Sequence, residues 1–379
     1  MDYIALHKNF KEHSLFGRYI HLDHINPLLQ KYPTQIVGKS VCDNPIYFLE
    51  VGSGKTKILI WSQMHGNETT TTKALFDFLQ YLHSNHQSAQ NLLSHFTFGF
   101  LPMVNPDGAK NYTRVNANNV DLNRDSVQLS QPESKVLNEI ILKFKPNYCY
   151  NLHDQRTIFG VGIEPKPATI SFLAPSYNEA REYNDTRLKA IAIINQMNTE
   201  LQKHIPNQVG RFDDGFNINC IGDYCTALQI PTILFEAGHY QNDYHREFSR
   251  KMVFIALVQG LLNFPENDIV ANDLEQYLNI PQNEAVFFDF IYKNVKINYD
   301  DNEIITNFAV QYKEVLIDKN VELQAYISDI GELKGKYGHV VYNAHKMTYS
   351  DNLKNIPIID EKADFSIGKS TFFVNGLKI

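Results

Sequence analysis

The chain has 379 residues, of which 43% are hydrophobic and 20% are charged, a composition typical of a folded globular protein. A net charge of −7 argues against the broad basic surface of a general nucleic-acid binder or a membrane-surface protein, so we expect neither partner. No apolar run is long enough for a membrane helix, and the first residues are too charged for a signal peptide. With four scattered cysteines, the sequence favours a cytoplasmic protein.

Strands and helices are predicted to alternate up to about residue 265. Apolar runs predict strands at residues 57–63, 96–104, 147–152 and 232–236, and helical spacing predicts helices at residues 69–83, 132–144, 179–203 and 248–264. This alternation predicts an α/β domain with a mixed, largely parallel sheet flanked by helices. Such sheets bind ligands at the carboxyl ends of their strands, so polar residues directly after strands are the candidates for chemistry.

The chain changes character after Phe264. We divide it into an N-terminal extension (1–40), an α/β domain (41–265), a linker with one short helix (266–284) and a small, mostly β domain (285–379). The last domain is predicted from short β-rich runs broken by turn residues. The pair Asn375-Gly376 predicts a hairpin near its end.

The segment GSGKT at residues 52–56 resembles the end of a phosphate-binding P-loop. A P-loop requires a glycine five positions before Gly54, but that position holds Leu49. The loop should also lead into a helix, whereas a strand is predicted at residues 57–63. We therefore interpret the segment as a hairpin turn after residues 46–51, with glycines that serve backbone geometry.

His65 and Glu68 lie directly after a predicted strand and at the start of a predicted helix. Imidazole nitrogen and carboxylate oxygen are both good zinc ligands, and two residues in one tight turn can reach one ion. The pair alone fits equally well a structural loop histidine and an acid that stabilises a helix start. His153, directly after another predicted strand, would complete three ligands and leave a fourth position for water.

Glu236 ends the predicted strand TILFE at residues 232–236. Burying a carboxylate at the end of an apolar run is costly unless that group has a partner or a task. Beside a zinc ion, Glu236 could take a proton from the attacking water and pass it to a leaving nitrogen. The alternative is an acid that caps an element or forms a structural ion pair.

The loop at residues 105–126 carries side chains that could bind a carboxylate or carbonyl group. Arg114 and Arg124 can each bind a carboxylate through two parallel hydrogen bonds, and Arg114 could also polarise a carbonyl. Asn123 adds a donor next to Arg124. The alternative is a solvated loop with ordinary surface ion pairs, which Asn116 and the neighbouring asparagines fit.

Together these motifs resemble those of the M14 zinc carboxypeptidases, or metallocarboxypeptidases. HxxE alone is a weak signal, but five motifs in this order and at strand ends are specific. The resemblance implies a zinc-carboxypeptidase-like catalytic domain over about residues 40–265. The motifs are HGNE at 65–68, NPDGA at 105–109, Arg114 with DLNRD at 121–125, NLHDQ ending at 155, and FEAG at 235–238.

The resemblance also implies a role for each of these side chains. Water would attack the last peptide bond and release one carboxy-terminal residue. The implied roles are one zinc ion per chain bound by His65, Glu68 and His153, a general base and acid at Glu236, oxyanion stabilisation by Arg114, and binding of the terminal carboxylate by Asn123 and Arg124.

The sequence departs from the digestive members of that family, which carry a mobile tyrosine upstream of the catalytic glutamate. The corresponding segment at residues 210–224 offers two phenylalanines and, only near its end, Tyr224, so no tyrosine is assigned. Arg156 or Arg211 could supply a further anion contact. Asp223 would border the side-chain pocket, where it would favour a basic group or serve only structure.

The short spacing from Glu68 to His153 and the carboxy-terminal β domain also resemble the aspartoacylase and succinylglutamate desuccinylase branch of the same superfamily. That resemblance implies an N-acyl amino acid deacylase as an alternative, with a murein-peptide amidase between the two. In each case the partner is a peptide or N-acyl amino acid with a free carboxylate. A binding protein that keeps the fold without catalysis is a further alternative, and the oligomeric state stays open.

Overall fold

The computed structural model describes residues 1–163, 165–265, 273–299, 302–351 and 353–379. The chain divides into two units, one of residues 1–156 and 168–283 and one of residues 157–167 and 284–379. Of the linker predicted at residues 266–284, residues 266–272 lie outside the described residues.

The helices and strands of the described residues are numbered in chain order. The helices are α1 Tyr3–Phe10, α2 Leu22–Leu29, α3 Thr70–Leu82, α4 Gln87–His95, α5 Pro106–Asn111, α6 Pro132–Phe144, α7 Asp185–His204, α8 Ile221–Ala227, α9 Glu247–Leu262 and α10 Asp273–Leu278. None of these helices combines the length and the apolar character needed to cross a membrane.

The strands are β1 Thr34–Lys39, β2 Pro45–Gly52, β3 Thr56–Ser62, β4 Phe96–Leu101, β5 Tyr148–Asp154, β6 Phe159–Val161, β7 Lys166–Pro167, β8 Ile170–Leu173, β9 Val209–Arg211, β10 Thr232–Ala237, β11 Glu284–Ala285, β12 Phe287–Ile297, β13 Ile304–Ile317, β14 Asn320–Gly331, β15 Tyr337–Asn343, β16 Tyr349–Ser350, β17 Phe365–Ile367, β18 Thr371–Val374 and β19 Leu377–Lys378.

The first unit is built on an eight-stranded sheet with the strand order β1-β2-β4-β3-β5-β10-β8-β9. Strand β3 is parallel to both of its neighbours, β4 and β5, and β5 is parallel to β10. Strands β1, β2 and β8 add antiparallel pairs. The predicted α/β domain with a mixed, largely parallel sheet is therefore confirmed.

Alternate residues of β3 pack into two separate cores, because successive side chains of a strand point to opposite faces. Ile58 and Ile60 pack with residues of α3, α7 and α9. Leu59 and Trp61 pack with residues of α6 and α8. Helices therefore cover both faces of the sheet, and β3 reads as a continuous apolar run because it is buried on both sides.

Local sequence signals set the ends of the helices. Helix α6 has its predicted bounds, with Pro132 in the first turn, where its missing N–H is not needed, and Lys145 in a left-handed conformation at the end. Helix α7 begins at Asp185, later than the predicted residue 179. The reason is that the side chain of Asn184 accepts the N–H of Arg187 and so caps the helix.

The second unit is rich in β structure, with sheets ordered β14-β13-β12-β15, β16-β17-β18-β19 and β11-β6-β7. Its core is aromatic, and the ring of Tyr292 packs against Phe308 and Phe365 at centroid distances of 4.6 and 5.0 Å. The predicted β-rich carboxy-terminal region is confirmed. Strands β18 and β19 form a hairpin around Asn375 and Gly376, whose φ angles of 50° and 76° suit its tight turn.

Two local predictions are wrong. The segment at residues 52–56 is not a hairpin turn, because β4 lies between β2 and β3 and pairs with both. Its glycines do serve geometry, since a Cβ on Gly54 would lie 1.9 Å from the carbonyl carbon of His95. The runs predicted as separate short strands after residue 304 form one strand, β13, because Lys313 and Glu314 continue the pairing with β14.

Candidate metal centre and active site

The three side chains predicted to bind zinc converge in the structure. His65 Nδ1 lies 2.8 Å from Glu68 Oε1, His153 Nδ1 lies 2.7 Å from Glu68 Oε2, and the two histidine nitrogens are 3.1 Å apart. All three residues are buried, and one ligand atom from each lies within 4.8 Å of the others. In the part of the chain that the structure describes, no second group of this kind is found.

The sheet topology brings these three side chains together. The turn between β3 and α3 carries His65 and Glu68, and the parallel neighbour β5 carries His153 near its carboxyl end. The turn is fixed by a close backbone contact, because a Cβ on Gly66 would lie 2.0 Å from the carbonyl carbon of Gly108. The HGNE and NPDG motifs are therefore packed backbone against backbone.

The chemistry of this donor set fits a metal ion. Two imidazole nitrogens and a carboxylate face one another, and their lone pairs repel unless a proton or cation lies among them. Burial would raise the pKa of Glu68, but the charges of His65 and His153 outweigh it and hold that pKa well below its ordinary value. Burial also lowers the pKa of His153, which favours the neutral imidazole that a metal ion needs.

Asp121 is a site residue to which the sequence assigned no role. Its Oδ1 lies 3.0 Å from Nε2 of His65, the ring nitrogen on the far side from the ligand cluster. A carboxylate in this place favours the tautomer with the proton on Nε2 and leaves Nδ1 for a metal. The DLNRD motif already contained the signal, since Asp121 is its first residue.

Arg114 reaches the ligand cluster from the loop before Asp121. Its Nη1 donates to Glu68 Oε1 at 3.2 Å, and its Nε donates to Asp121 Oδ2 at 3.1 Å. The side chain is 48% exposed. The guanidinium therefore lies beside the three ligands and is still accessible from solvent.

Glu236 lies next to the cluster on β10, where it is paired in register with His153 on the parallel strand β5. Its Oε2 is buried and has no hydrogen-bond partner among the described residues. Burial, together with the charges of Glu68 and Asp154, raises the pKa of Glu236 well above its ordinary value, while Arg114 opposes the shift. A carboxyl with a raised pKa can act both as a proton acceptor and as a proton donor.

Asn123 and Arg124 lie in a single 3-10 turn, Leu122–Arg124, which contacts the first residue of α8. Asn123 Oδ1 accepts the N–H of Ile221 at 3.0 Å, and Arg124 Nη1 donates to the carbonyl of Asn123 at 2.7 Å. The N–H of Asn123 donates at 2.9 Å to the same oxygen of Asp121 that faces His65. The turn is thus connected to the ligand cluster through one carboxylate.

The loop at residues 105–126 is more ordered than a solvated surface loop. Asn116 is buried, and its Oδ1 accepts the N–H groups of Asn118 and Val120. Its Nδ2 donates to Gln131 and Glu133. The interpretation of Asn116 as a surface residue is therefore wrong, because its amide organises the turn before DLNRD.

Tyr224, which was not assigned to the site, and Arg211, named as a possible anion contact, each contact other side chains or the backbone. The hydroxyl of Tyr224 donates to Asn138 of α6 at 3.3 Å. The Nε of Arg211 donates to the carbonyl of Ile280 at 3.3 Å, and its guanidinium lies over the ring of Tyr277. Both side chains are thus accounted for by structural contacts.

Comparison with known proteins agrees with this geometry. The family model for zinc carboxypeptidases, peptidase family M14, matches residues 22–151. The match includes the turn with His65 and Glu68 and the loop with Arg114, and it ends before His153 and Glu236.

The curated relatives match over short regions. Carboxypeptidase 2 of Trichophyton tonsurans is 28% identical over 130 residues, which are 34% of this chain and 24% of that protein. Carboxypeptidase SOL1 of Arabidopsis thaliana is 29% identical over 120 residues, which are 27% of this chain and 24% of that protein. The chain therefore spans about a quarter of the length of the curated relatives it matches.

Two solved structures share the fold. Thrombin activatable fibrinolysis inhibitor superposes with a TM-score of 0.52 at 18% identity, covering 66% of this chain and 75% of that one. A metallo-carboxypeptidase from Burkholderia cenocepacia superposes with a TM-score of 0.50 at 17% identity, covering 63% and 66%. The fold is thus similar to that of metallo-carboxypeptidases. Over residues 22–151 the chain is similar to the zinc carboxypeptidases of peptidase family M14, as its motifs predicted.

Proposed function

We propose that the chain is a zinc-dependent hydrolase that removes the carboxy-terminal amino acid from a peptide. The observation that supports this most strongly is the buried cluster of His65, Glu68 and His153, with Glu236 in register beside His153. This arrangement supplies three metal ligands and one carboxyl that is not a ligand. Metal-assisted hydrolysis requires both.

His65, Glu68 and His153 would hold one zinc ion per chain, since nitrogen and oxygen donors in this number suit a catalytic zinc site. When bound, the ion supplies Lewis-acid chemistry that activates water and polarises a carbonyl. Asp121 keeps the ring of His65 turned so that Nδ1 faces the other two ligands.

Glu236 would move the proton. As a carboxylate it accepts a proton from the attacking water, and as an acid it gives that proton to the leaving nitrogen. The raised pKa of Glu236, caused by burial and then by the charges of Glu68 and Asp154, suits it to both roles. Its buried Oε2 is not engaged by another described side chain, so it is available for water.

Arg114 would stabilise the negative charge that develops on the carbonyl oxygen. Preorganised cationic donors are most effective where the charge appears during reaction. Hydrogen bonds to Glu68 and Asp121 hold the guanidinium beside the ligands.

Asn123 and Arg124 would bind the free carboxylate of the substrate. Because Oδ1 of Asn123 already accepts the N–H of Ile221, its Nδ2 is the atom left to donate. The guanidinium of Arg124 adds charged donors in a geometry that matches a carboxylate. These contacts would restrict cleavage to the last residue of a chain.

Metal content and substrate class test this proposal together. Purified protein should contain one zinc ion per chain, lose activity on chelation and regain it with added Zn²⁺. Dipeptides, murein peptides and N-acyl amino acids form the assay panel, and we expect cleavage of peptides with a free carboxylate. Turnover confined to N-acyl amino acids would assign a deacylase instead. Tight binding of these ligands without turnover would assign a binding protein.

Glu236→Gln separates proton transfer from metal binding. The variant should bind zinc normally but lose roughly a hundred- to ten-thousand-fold in kcat, the range for general acid–base catalysis. In the unmodified protein, kcat/KM should fall as the pH drops through the raised pKa of Glu236, because the base becomes protonated. Glu139→Gln, at an exposed position of α6, is the control. Normal hydrolysis by Glu236→Gln would contradict the assigned role.

A further inference from the structure

Arg18 lies in the N-terminal segment between α1 and α2, before the start of the family match at residue 22. Although it is a charged residue, only 8% of its side chain is exposed. The proposed reaction uses none of its atoms. A buried guanidinium needs a compensating charge, and that partner identifies the role of Arg18.

Among the described residues, Asp154 pairs with this guanidinium, and it directly follows the proposed ligand His153. Nη1 of Arg18 lies 3.2 Å from Asp154 Oδ2, and the Asp154 side chain is only 1% exposed. The same Nη1 donates to Oγ1 of Thr70 at 2.8 Å. The ion pair therefore spans the carboxyl end of β5 and the first turn of α3.

Asp154 connects the two elements that carry the metal ligands. Its Oδ2 and Oδ1 accept the N–H groups of Thr70 and Thr71 at 2.8 and 3.2 Å. These bonds cap α3, whose N-cap residue Thr69 makes no side-chain cap bond of its own. The N–H of Asp154 donates to Glu68 Oε2 at 3.2 Å, so one residue holds both the helix and the ligand that precedes it.

The backbone around Arg18 is fixed to the same turn. The carbonyl of Arg18 accepts a hydrogen bond from Oγ1 of Thr69 at 2.8 Å. Two residues later, the carbonyl of Ile20 accepts from Nε2 of Gln63 at 2.9 Å. The segment therefore packs along the turn that joins β3 to α3, directly behind the ligands.

A buried ionic cluster anchors the rest of this segment. Asp77 of α3 is fully buried and lies 3.0 Å from Nε2 of His7, while its Oδ1 accepts the N–H of Glu12 at 2.7 Å. Arg250 of α9 donates to Asp77 and to the carbonyl of Leu15. Because residues before Arg18 are held in this way, its guanidinium is presented to Asp154 from a rigid support.

We propose that Arg18 is a positioning residue for the metal centre, acting through Asp154 to hold Glu68 and His153 at the distance that one ion requires. The inference rests on the proposed zinc function, and it assigns the N-terminal segment a part in that site. Without the guanidinium, Asp154 becomes a buried carboxylate without this ion pair, next to two other acids, Glu68 and Glu236. Asp154 then no longer holds the first turn of α3 in place, and the distance between Glu68 and His153 changes with it.

The test measures zinc affinity in competition with a chromophoric chelator, so it does not depend on turnover. Arg18→Met should bind zinc about ten- to a hundredfold more weakly, the range for residues that orient ligands. Arg18→Lys keeps the charge but loses the planar guanidinium. Its zinc affinity should lie between those of wild type and Arg18→Met. Tyr3→Phe is the control, since it removes one hydrogen bond between α1 and Gln259 of α9. It should bind zinc normally.

A double-mutant cycle with Asp154→Asn separates positioning from general stability. If Arg18 acts through Asp154, Arg18→Met should weaken zinc binding little further once Asp154 is already neutral. Additive losses, or wild-type affinity in Arg18→Met, would overturn the proposal. Should Arg18→Met fold poorly, Arg18→Gln is measured in the same cycle. If the unmodified protein binds no zinc, the proposed function and the role of Arg18 both fail; if it binds zinc and the variants bind equally, only the role of Arg18 fails.

Discussion

Among the described residues of the first unit, three carboxyl groups, Glu236, Asp223 and Glu133, have a pKa raised chiefly by burial. Of these three, only Glu236 lies in register with a proposed metal ligand, His153. Asp223 instead accepts the N–H of Asn217 at 2.7 Å in the first turn of α8. A perturbed pKa therefore marks a candidate acid, and the neighbours of each carboxyl decide between catalysis and structure.

The burial of Asp223 should make the stability of the protein depend on pH. Burial raises its pKa from 3.8 to about 6, so between these values the folded protein keeps a proton that the unfolded chain releases. Stability is therefore lost as the pH rises through this window, by about 3 kcal/mol in total. Asp223→Asn cannot titrate and should gain that much relative to wild type between pH 4 and pH 8.

Chemical denaturation at several pH values measures this difference. Asp213→Asn is the control, because the side chain of Asp213 is 69% exposed and stays solvated in both states. Its unfolding free energy should run parallel to that of wild type. A difference between Asp223→Asn and wild type that does not change with pH would contradict the interpretation.

At the level of elements, the site depends on turns that follow strands. The turn after β3 carries two of the proposed metal ligands, and α5, which follows β4, packs against that turn. The contact is between backbones, at Gly66 and Gly108. Neither glycine has a positive φ, so each is required by the approach of the other turn rather than by its own conformation.

Gly66→Ala should therefore disturb the metal centre. The added Cβ would lie 2.0 Å from the carbonyl carbon of Gly108, so one turn must move. We expect a loss of several kcal/mol of unfolding free energy, in the range for overpacked sites, together with weaker zinc binding. Thermal unfolding and zinc titration measure the two effects.

Gly335→Ala is the comparison for Gly66→Ala. Gly335 has a positive φ of 70° but nothing near its Cβ position, so its cost is conformational strain alone. Its zinc affinity should equal that of wild type. Unchanged zinc binding and stability in Gly66→Ala would show that the two turns do not restrain each other.

Some helices and strands were predicted correctly from the sequence and others were not. The bounds of α6 followed from Pro132 and the apolar spacing, because both act within one helix. The supposed hairpin at residues 52–56 failed because pairing between distant strands is not encoded in the turn itself, and β4 inserts between β2 and β3. The N-terminal extension carries no motif, yet Arg18 reaches the site through contacts to residues far along the chain.

At the scale of the whole molecule, the second unit is built from two separate parts of the chain. Residues 157–167 leave the end of β5, just after His153, and belong with residues 284–379. The carbonyl of Ile158 accepts the N–H groups of Val286 and Phe287 at 3.1 and 3.0 Å, and β6 pairs with β11. We propose that residues 41–265 carry the catalysis and that the second unit supports this segment.

A chain ending at residue 283 tests that division. It keeps all proposed ligands and should bind zinc, but the segment at residues 157–167 loses its pairing with β11. We expect trypsin to cut after the exposed Arg156 faster in the truncated chain than in the full chain. Mass spectrometry of the fragments gives the rates. Equal cleavage rates in the two chains would show that the second unit does not support this segment. If the truncated chain fails to bind zinc, residues beyond 283 are needed for the site.

The sequence by itself determined the fold class, the strand-end motifs and the side chains that converge as His65, Glu68 and His153. It could do so because strand and helix periodicity are local, and because parallel strands present their carboxyl ends at one edge of a sheet. Only the tertiary structure decided the strand order, the contact of Asp121 with His65, and the ion pair of Arg18 with Asp154. Those depend on residues up to 136 positions apart, whose meeting is fixed by packing of the whole unit and by the need to neutralise buried charge.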